Sequence, residues 1–255
     1  MFDRLSTLTR FRNVHDGERI VIVCNGPSLN QMDLGFLRDE ITFGLNKIHL
    51  GLETFGFYPR YLAAVNDKVI GQTADVLRKM TAVKFISDRS AHLLPADALT
   101  FHIHTTRVRE PFCHDITLGV REGHTVTFVA LQLAYYMGAR EVVLIGMDHR
   151  FTLNGPPNST QVMQGHDPNH FSPDYFANKP WDAANLAQSE ASYKIARDAY
   201  EADGRRIIDA TLGGACTIFE KADYREVFGK GAPRPQPAPR SPATGYSRDG
   251  MGLLP

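Results

Sequence analysis

The run Arg19-Ile-Val-Ile-Val-Cys24 limits this chain's fold more than any other feature. It is apolar at consecutive rather than alternate positions, so a strand built from it needs cover on both faces. Ile41–Leu45, Tyr61–Val65, Val83–Ser87 and Glu141–Gly146 repeat the pattern, and "LTFHIH" and "RRIID" repeat it more weakly. Helical patterns lie between them. Val126–Met137 is apolar nearly all round, as expected of a helix sandwiched between other elements, with Thr125 or Thr127 to cap its start and Gly138 to close it. Ala183–Ala202 carries Leu186, Tyr193, Ala196 and Tyr200 on one stripe and stops at Gly204. This alternation predicts a doubly wound, mostly parallel, Rossmann-like α/β sheet in a single domain.

The expected organisation is an N-terminal extension over 1–18, a Rossmann-like domain over 19–228, and a tail over 229–255. The tail is Pro-rich and apolar-poor and reads as disordered. Within the domain, "FTLNGPPNSTQVMQGHDPNHFSPDYFANKPW" has little periodicity, which makes 150–181 a lid-like loop. Lys plus Arg and Asp plus Glu both number 28, so no global field argues for nucleic acid. The longest apolar runs are too short to span a bilayer, and the N-terminus has no secretory apolar core. Cys24, Cys113 and Cys216 are too far apart for a disulfide framework or a zinc pattern. The expected location is the cytoplasm, with room for peripheral contact at the inner face of the membrane.

In open α/β sheets ligands sit beyond the carboxyl ends of the strands. The first such end reads Asn25-Gly26-Pro27-Ser28. Gly26 permits a tight turn, Pro27 suits a first helical turn, and Ser28 with the following N–H groups suits an anion. The turn is neither the G-x-G-x-x-G fingerprint nor a P-loop. Other strand ends supply Asn46, then Asn66 and Asp67, then Asp148, His149 and Arg150, while His124 and Thr125 precede the buried helix. Singly, each serves as a loop cap as readily as a ligand contact. Together they predict a polar pocket on one rim.

"VIVCNGPSL", "FGLNKI" and "ALQLAYYMGAREVVLIGMDHRF", followed by "DPNHF", resemble the small bacterial sialyltransferases of glycosyltransferase family 42. They equally resemble the group described as 6-hydroxymethylpterin diphosphokinase MptE-like, which includes the motility-associated-factor flagellin glycosyltransferases. The likeness runs from Arg19 to Phe228. From the sialyltransferases it implies a CMP-sugar donor held by Asn25, Gly26, Ser28, Asn46, His124 and Thr125. It also implies a glycan or lipid acceptor, no metal, and a catalytic His, for which His170 beside Phe171 is favoured over His166. Arg150 stands where that family holds the departing phosphate with aromatic hydroxyls, so guanidinium would replace phenol. Thr211, in the Asp-Ala-Thr turn after "RRIID", is a further candidate, although the glycines there also read as a plain turn. Two alternatives stay open. One is a diphosphokinase using ATP and Mg²⁺, with Asp67 and Asp148 as ligands. The other is a non-catalytic nucleotide-binding protein.

Overall fold

The computed structural model describes residues 7–106, 108–152 and 155–229. Its main sheet has eight strands in the order β10-β9-β6-β1-β2-β3-β4-β5, all parallel. The strands are β1 (Arg19–Val23), β2 (Ile41–Leu45), β3 (Tyr61–Ala64), β4 (Val83–Ser87), β5 (Thr100–Ile103), β6 (Glu141–Ile145), β9 (Arg206–Asp209) and the two-residue β10 (Glu220–Lys221). Each expected strand is present, and each end moves by no more than a residue. A separate antiparallel pair, β7 (Thr160–Val162) with β8 (Pro180–Asp182), lies in the lid segment.

The chain winds outward from β1 to β5, returns across the sheet to β6, and continues to β9 and β10 on the other side. The order therefore reverses between β1 and β6, and the crevice above that point is where a ligand site is expected in this topology. Successive residues of β1 point to opposite faces. Ile20, Ile22 and Cys24 join one core cluster, and Val21 and Val23 join the other. The first face is covered by two helices, α2 (Val126–Tyr136) and α3 (Leu186–Ala202), with Leu8 and Phe11 from the N-terminal segment. As expected, α2 is buried on nearly every side, Thr125 caps it by accepting from the Thr127 N–H, and Gly138 follows it at φ +91°.

The second face is covered by α1 (Asp67–Lys79), by two short 3-10 turns after β1, and by the lid. Two points here differ from the sequence reading. Pro27 opens a five-residue 3-10 turn (Pro27–Gln31) rather than an α-helix, so no extended helix dipole points at the β1 corner. The lid is also no loose loop, because Phe171, Tyr175, Phe176 and Trp181 are buried in the same cluster as Val21, Val143 and Ile145. Burial of each such ring contributes about 1.5–3 kcal/mol, enough to fix a segment that lacks helical or strand periodicity. The expected tail, beyond Gly229, lies outside the described residues. Among the described residues no helix is long and apolar enough to cross a membrane.

Candidate functional site

A cavity of about 760 Å³ opens above the β1/β6 reversal. Asn25, Gly26, Asn46, Asn66, Asp67, His124, Thr125, Asp148, Arg150 and His170 all line it. The strand ends and the start of α2 thus converge as the sequence implied. Three cavity residues hold left-handed backbone, Asn46 at φ +46°, His124 at +63° and His149 at +53°, a conformation that Asn and His adopt more readily than most residues and that clusters at functional sites.

Pro27, Ser28 and Thr211 do not line the cavity. The Ser28 hydroxyl donates to Asp148 Oδ2 at 2.7 Å, and its N–H donates to Oδ1 at 3.1 Å. The anion held by this turn is therefore the chain's own carboxylate. Gly26 is needed for the same reason, since a Cβ there would collide with the Asp148 carboxylate and lie 2.6 Å from the Gly146 carbonyl oxygen. Burial, only partly offset by Ser28 and Arg150, lifts the Asp148 carboxyl above its ordinary range. The Thr211 hydroxyl oxygen accepts from the Met147 N–H at 2.9 Å and braces the loop after β6.

Asn25 behaves differently. Its Nδ2 donates to the Leu45 carbonyl at 3.2 Å, which fixes the orientation of the amide. Its Oδ1 is then left buried without a partner, as is Asn46 Oδ1. Both residues line the cavity, and each keeps one buried acceptor that the chain itself leaves unspent. Asn66 is a cap. Its side-chain oxygen accepts from the N–H groups of Lys68 and Val69 at 2.9 and 3.2 Å, and its Nδ2 donates to Asp182 at 3.2 Å. Asp67 accepts from Ser90 Oγ at 2.6 Å and lies 3.5 Å from Arg89 Nε, whose Nη1 pairs with Glu122 at 2.7 Å. Lys68 pairs with Asp182 at 2.5 Å. Arg150, also at the rim, is exposed and makes no ion pair among the described residues.

The lid supplies a largely buried imidazole–carboxylate pair. His170 Nδ1 lies 2.8 Å from Asp167 Oδ2, and the side chains are 13% and 0% exposed. The imidazole stacks on Tyr175 at 3.9 Å and an interplanar angle of 4°. With Nδ1–H donating to the carboxylate, Nε2 keeps its lone pair, the arrangement of an oriented general base. Two contacts bring this lid turn to the β1 corner. The Phe171 N–H donates to the Asn25 carbonyl at 2.9 Å, and Asn30 Nδ2 donates to the Phe171 carbonyl at 2.7 Å. His166 is exposed and does not line the cavity. Asp167 was missed by the sequence reading, although His170 three residues later carried the signal. A second imidazole, His149, also lines the cavity and pairs with Glu190 of α3 at 3.0 Å.

A family model described as 6-hydroxymethylpterin diphosphokinase MptE-like matches residues 1–154. The chain belongs to this family. The match takes in β1 to β6 with the Asn25–Ser28 turn and Arg150, and it stops before the MptE-like chain's His170. Among solved structures, the MAf glycosyltransferase from Magnetospirillum magneticum AMB-1 is similar at 13% identity and a TM-score of 0.53. That likeness covers 87% of this chain and 38% of the other. The sialyltransferase CstII from Campylobacter jejuni, solved with cytidine-5'-monophosphate, is similar at 14% identity and a TM-score of 0.47. It covers 81% of this chain and 85% of that one. The first likeness is one of fold, and the MptE-like chain spans well under half of the MAf protein's length. No curated protein sequence matches.

Proposed function

We propose that the chain is a glycosyltransferase that moves a sugar from a nucleotide-activated donor to a surface-glycan or lipid acceptor with inversion. A CMP-linked, sialic-acid-like donor is favoured by the residue-level resemblance at Asn25, Asn46 and His170. The observation that carries the reading is the Asp167–His170 pair, with His170 on the wall of a cavity that Asn25 and Asn46 also line. In this reaction the acceptor oxygen forms a bond to the anomeric carbon as the bond from that carbon to the phosphate oxygen breaks. His170 Nε2 takes the acceptor's proton, and Asp167 holds the ring in position. Arg150 is exposed and makes no ion pair among the described residues, whereas Arg89 and Lys68 are paired with carboxylates, so Arg150 suits the departing phosphate. Asn25 and Asn46 accept from the hydroxyls or amine of the nucleoside. The fold shared with the MAf glycosyltransferase agrees with this reading.

The family's description names a diphosphokinase, for which ATP and Mg²⁺ would meet Asp67 and Asp148. The residues fit such an ion poorly. Both oxygens of Asp148 are engaged by Ser28, and Asp67 lies beside the Arg89 guanidinium. Among the described residues no group of three or more His, Cys, Asp and Glu side chains gathers for a metal.

The deciding experiment follows CMP release from CMP-linked N-acetylneuraminic acid and related nonulosonic acids. Wild type should turn over, and His170→Ala should lose about 10²–10⁴-fold in rate with CMP affinity kept within about twofold. Wild-type turnover by His170→Ala would overturn the mechanism. Mg²⁺-dependent ATP consumption without CMP release would favour the kinase, and nucleotide binding without either turnover would favour the non-catalytic protein.

A further inference from the structure

The lid turn that carries His170 is fastened by a residue outside the cavity lining. Lys47 follows Asn46 at the end of β2 and is only 1% exposed. Its Nζ donates to the Tyr175 carbonyl and to Gln72 Oε1, each at 2.6 Å. Its backbone N–H donates to the Tyr175 hydroxyl oxygen at 3.3 Å. The ammonium also lies 4.3 Å from the centroid of the Phe176 ring, within cation–π range. Lys47 therefore holds Tyr175 by its carbonyl and by its phenol, and the ring between them is the platform for His170.

Charge adds a second link. Asp167 is a carboxylate with a fully buried side chain, bonded to His170 and to the Asn169 N–H. The ammonium of Lys47 feels its attraction, although burial and the repulsion of Lys179 prevail and push the Lys47 amine down to about 8. The groups facing it are Gln72, the Tyr175 carbonyl, the Tyr175 and Phe176 rings, Asp167, Lys179 and His49.

We propose that Lys47 is the positioning residue of His170: it docks the Tyr175 turn and supplies the counter-charge to Asp167. The role of His170 as a base rests on the transferase reading; the docking does not. Loss of the ammonium proton leaves two N–H donors for two acceptors. It removes the charge that offsets Asp167 and attracts the Phe176 face. The docking is at full strength below about pH 8 and weakens as pH rises through that value.

The test is NMR of the full-length protein with ¹⁵N,¹³C-labelled histidine, His170 being assigned by its loss in His170→Ala. In wild type at pH 7 the ring proton signals should be moved upfield by the Tyr175 stack, with Nδ1 as the protonated nitrogen. Lys47→Met should lose most of that upfield shift and mix the tautomers, and wild type should show the same change with a midpoint near pH 8. Lys47→Arg, which keeps its charge, should move that midpoint out of the range. In an active preparation Lys47→Met should lower kcat at least tenfold with little change in KM. An unchanged His170 signature in Lys47→Met, or in wild type between pH 7 and 9.5, would overturn the proposal. If Lys47→Met does not fold, Lys47→Gln, which keeps a donor but no charge, is read in its place by the same criterion. Because the spectra need no substrate, a protein without CMP-sugar turnover can still show the docking, so the two readings fail separately.

Discussion

Two clusters of polar groups flank the end of β1, and they use their hydrogen bonds in opposite ways. On one side, Ser28 gives both its hydroxyl and its N–H to Asp148, and Gly26 leaves room for that carboxylate. On the other, Asn25 and Asn46 each hold an amide oxygen buried and unpartnered at the cavity wall. The first cluster closes the β1/β6 reversal, and the residues of the second line the cavity above it. The difference teaches that a strand-end motif divides its labour. Part of Asn25-Gly26-Pro27-Ser28 builds the crevice, and in the proposed reading part addresses the ligand. One residue does both, because the Asn25 carbonyl also pins Phe171 and with it the His170 turn.

The sharpest way to break the closing cluster is Gly26→Ala. The added methyl meets the Asp148 carboxylate and the Gly146 carbonyl, both fixed by their own contacts. The expected loss is at least the ~1–3 kcal/mol of an overpacked core, read as a fall in the urea midpoint. An unchanged midpoint would mean that the corner is not packed as described.

Ser28→Ala is the next largest. It removes a hydrogen bond to a half-buried carboxylate, so stability at neutral pH should fall by about 1.5–3 kcal/mol. The pH dependence has a definite sign. Burial raises the Asp148 carboxyl in the folded state, so its contribution to stability is greatest when it is protonated and falls as pH rises through the folded value. Removal of the Ser28 donor makes the charged form still less welcome. The penalty of Ser28→Ala should therefore shrink on acidification toward the ordinary carboxylate range, and a penalty independent of pH would detach Ser28 from Asp148.

Asn25→Ala probes the other cluster and should barely alter stability. It forfeits the bond to the Leu45 carbonyl, typically ~1 kcal/mol, but also removes an oxygen whose burial without a partner costs a comparable amount. Its effect should appear in ligand affinity.

Much of this was legible in the sequence, and the rest was not, for reasons particular to the residues. Continuous runs such as Arg19–Val23 and Glu141–Ile145 specify strands buried on both faces, so the sheet and its rim could be drawn in advance. The convergence of Asn25, Asn46 and Asp148 follows from that topology. The partner of Ser28 did not, because Asp148 lies 120 positions away and only the fold brings the two together. Asn66 is a helix cap, which its place before α1 allowed but did not decide. Lys47 gave no signal, since lysine is ordinarily exposed and its burial depends on the lid packing over it. The lid was opaque because four scattered aromatic anchors carry no period.

The measurement closest to the central claim is calorimetric titration of CMP into wild type, Asn25→Ala and Ser28→Ala at neutral pH. A nucleotide received by the unspent amide oxygens predicts measurable binding to wild type and a roughly tenfold loss in Asn25→Ala, about 1.4 kcal/mol. It also predicts an affinity for Ser28→Ala within about twofold of wild type. Full affinity in Asn25→Ala, with the loss falling on Ser28→Ala instead, would contradict this division of the β1 corner.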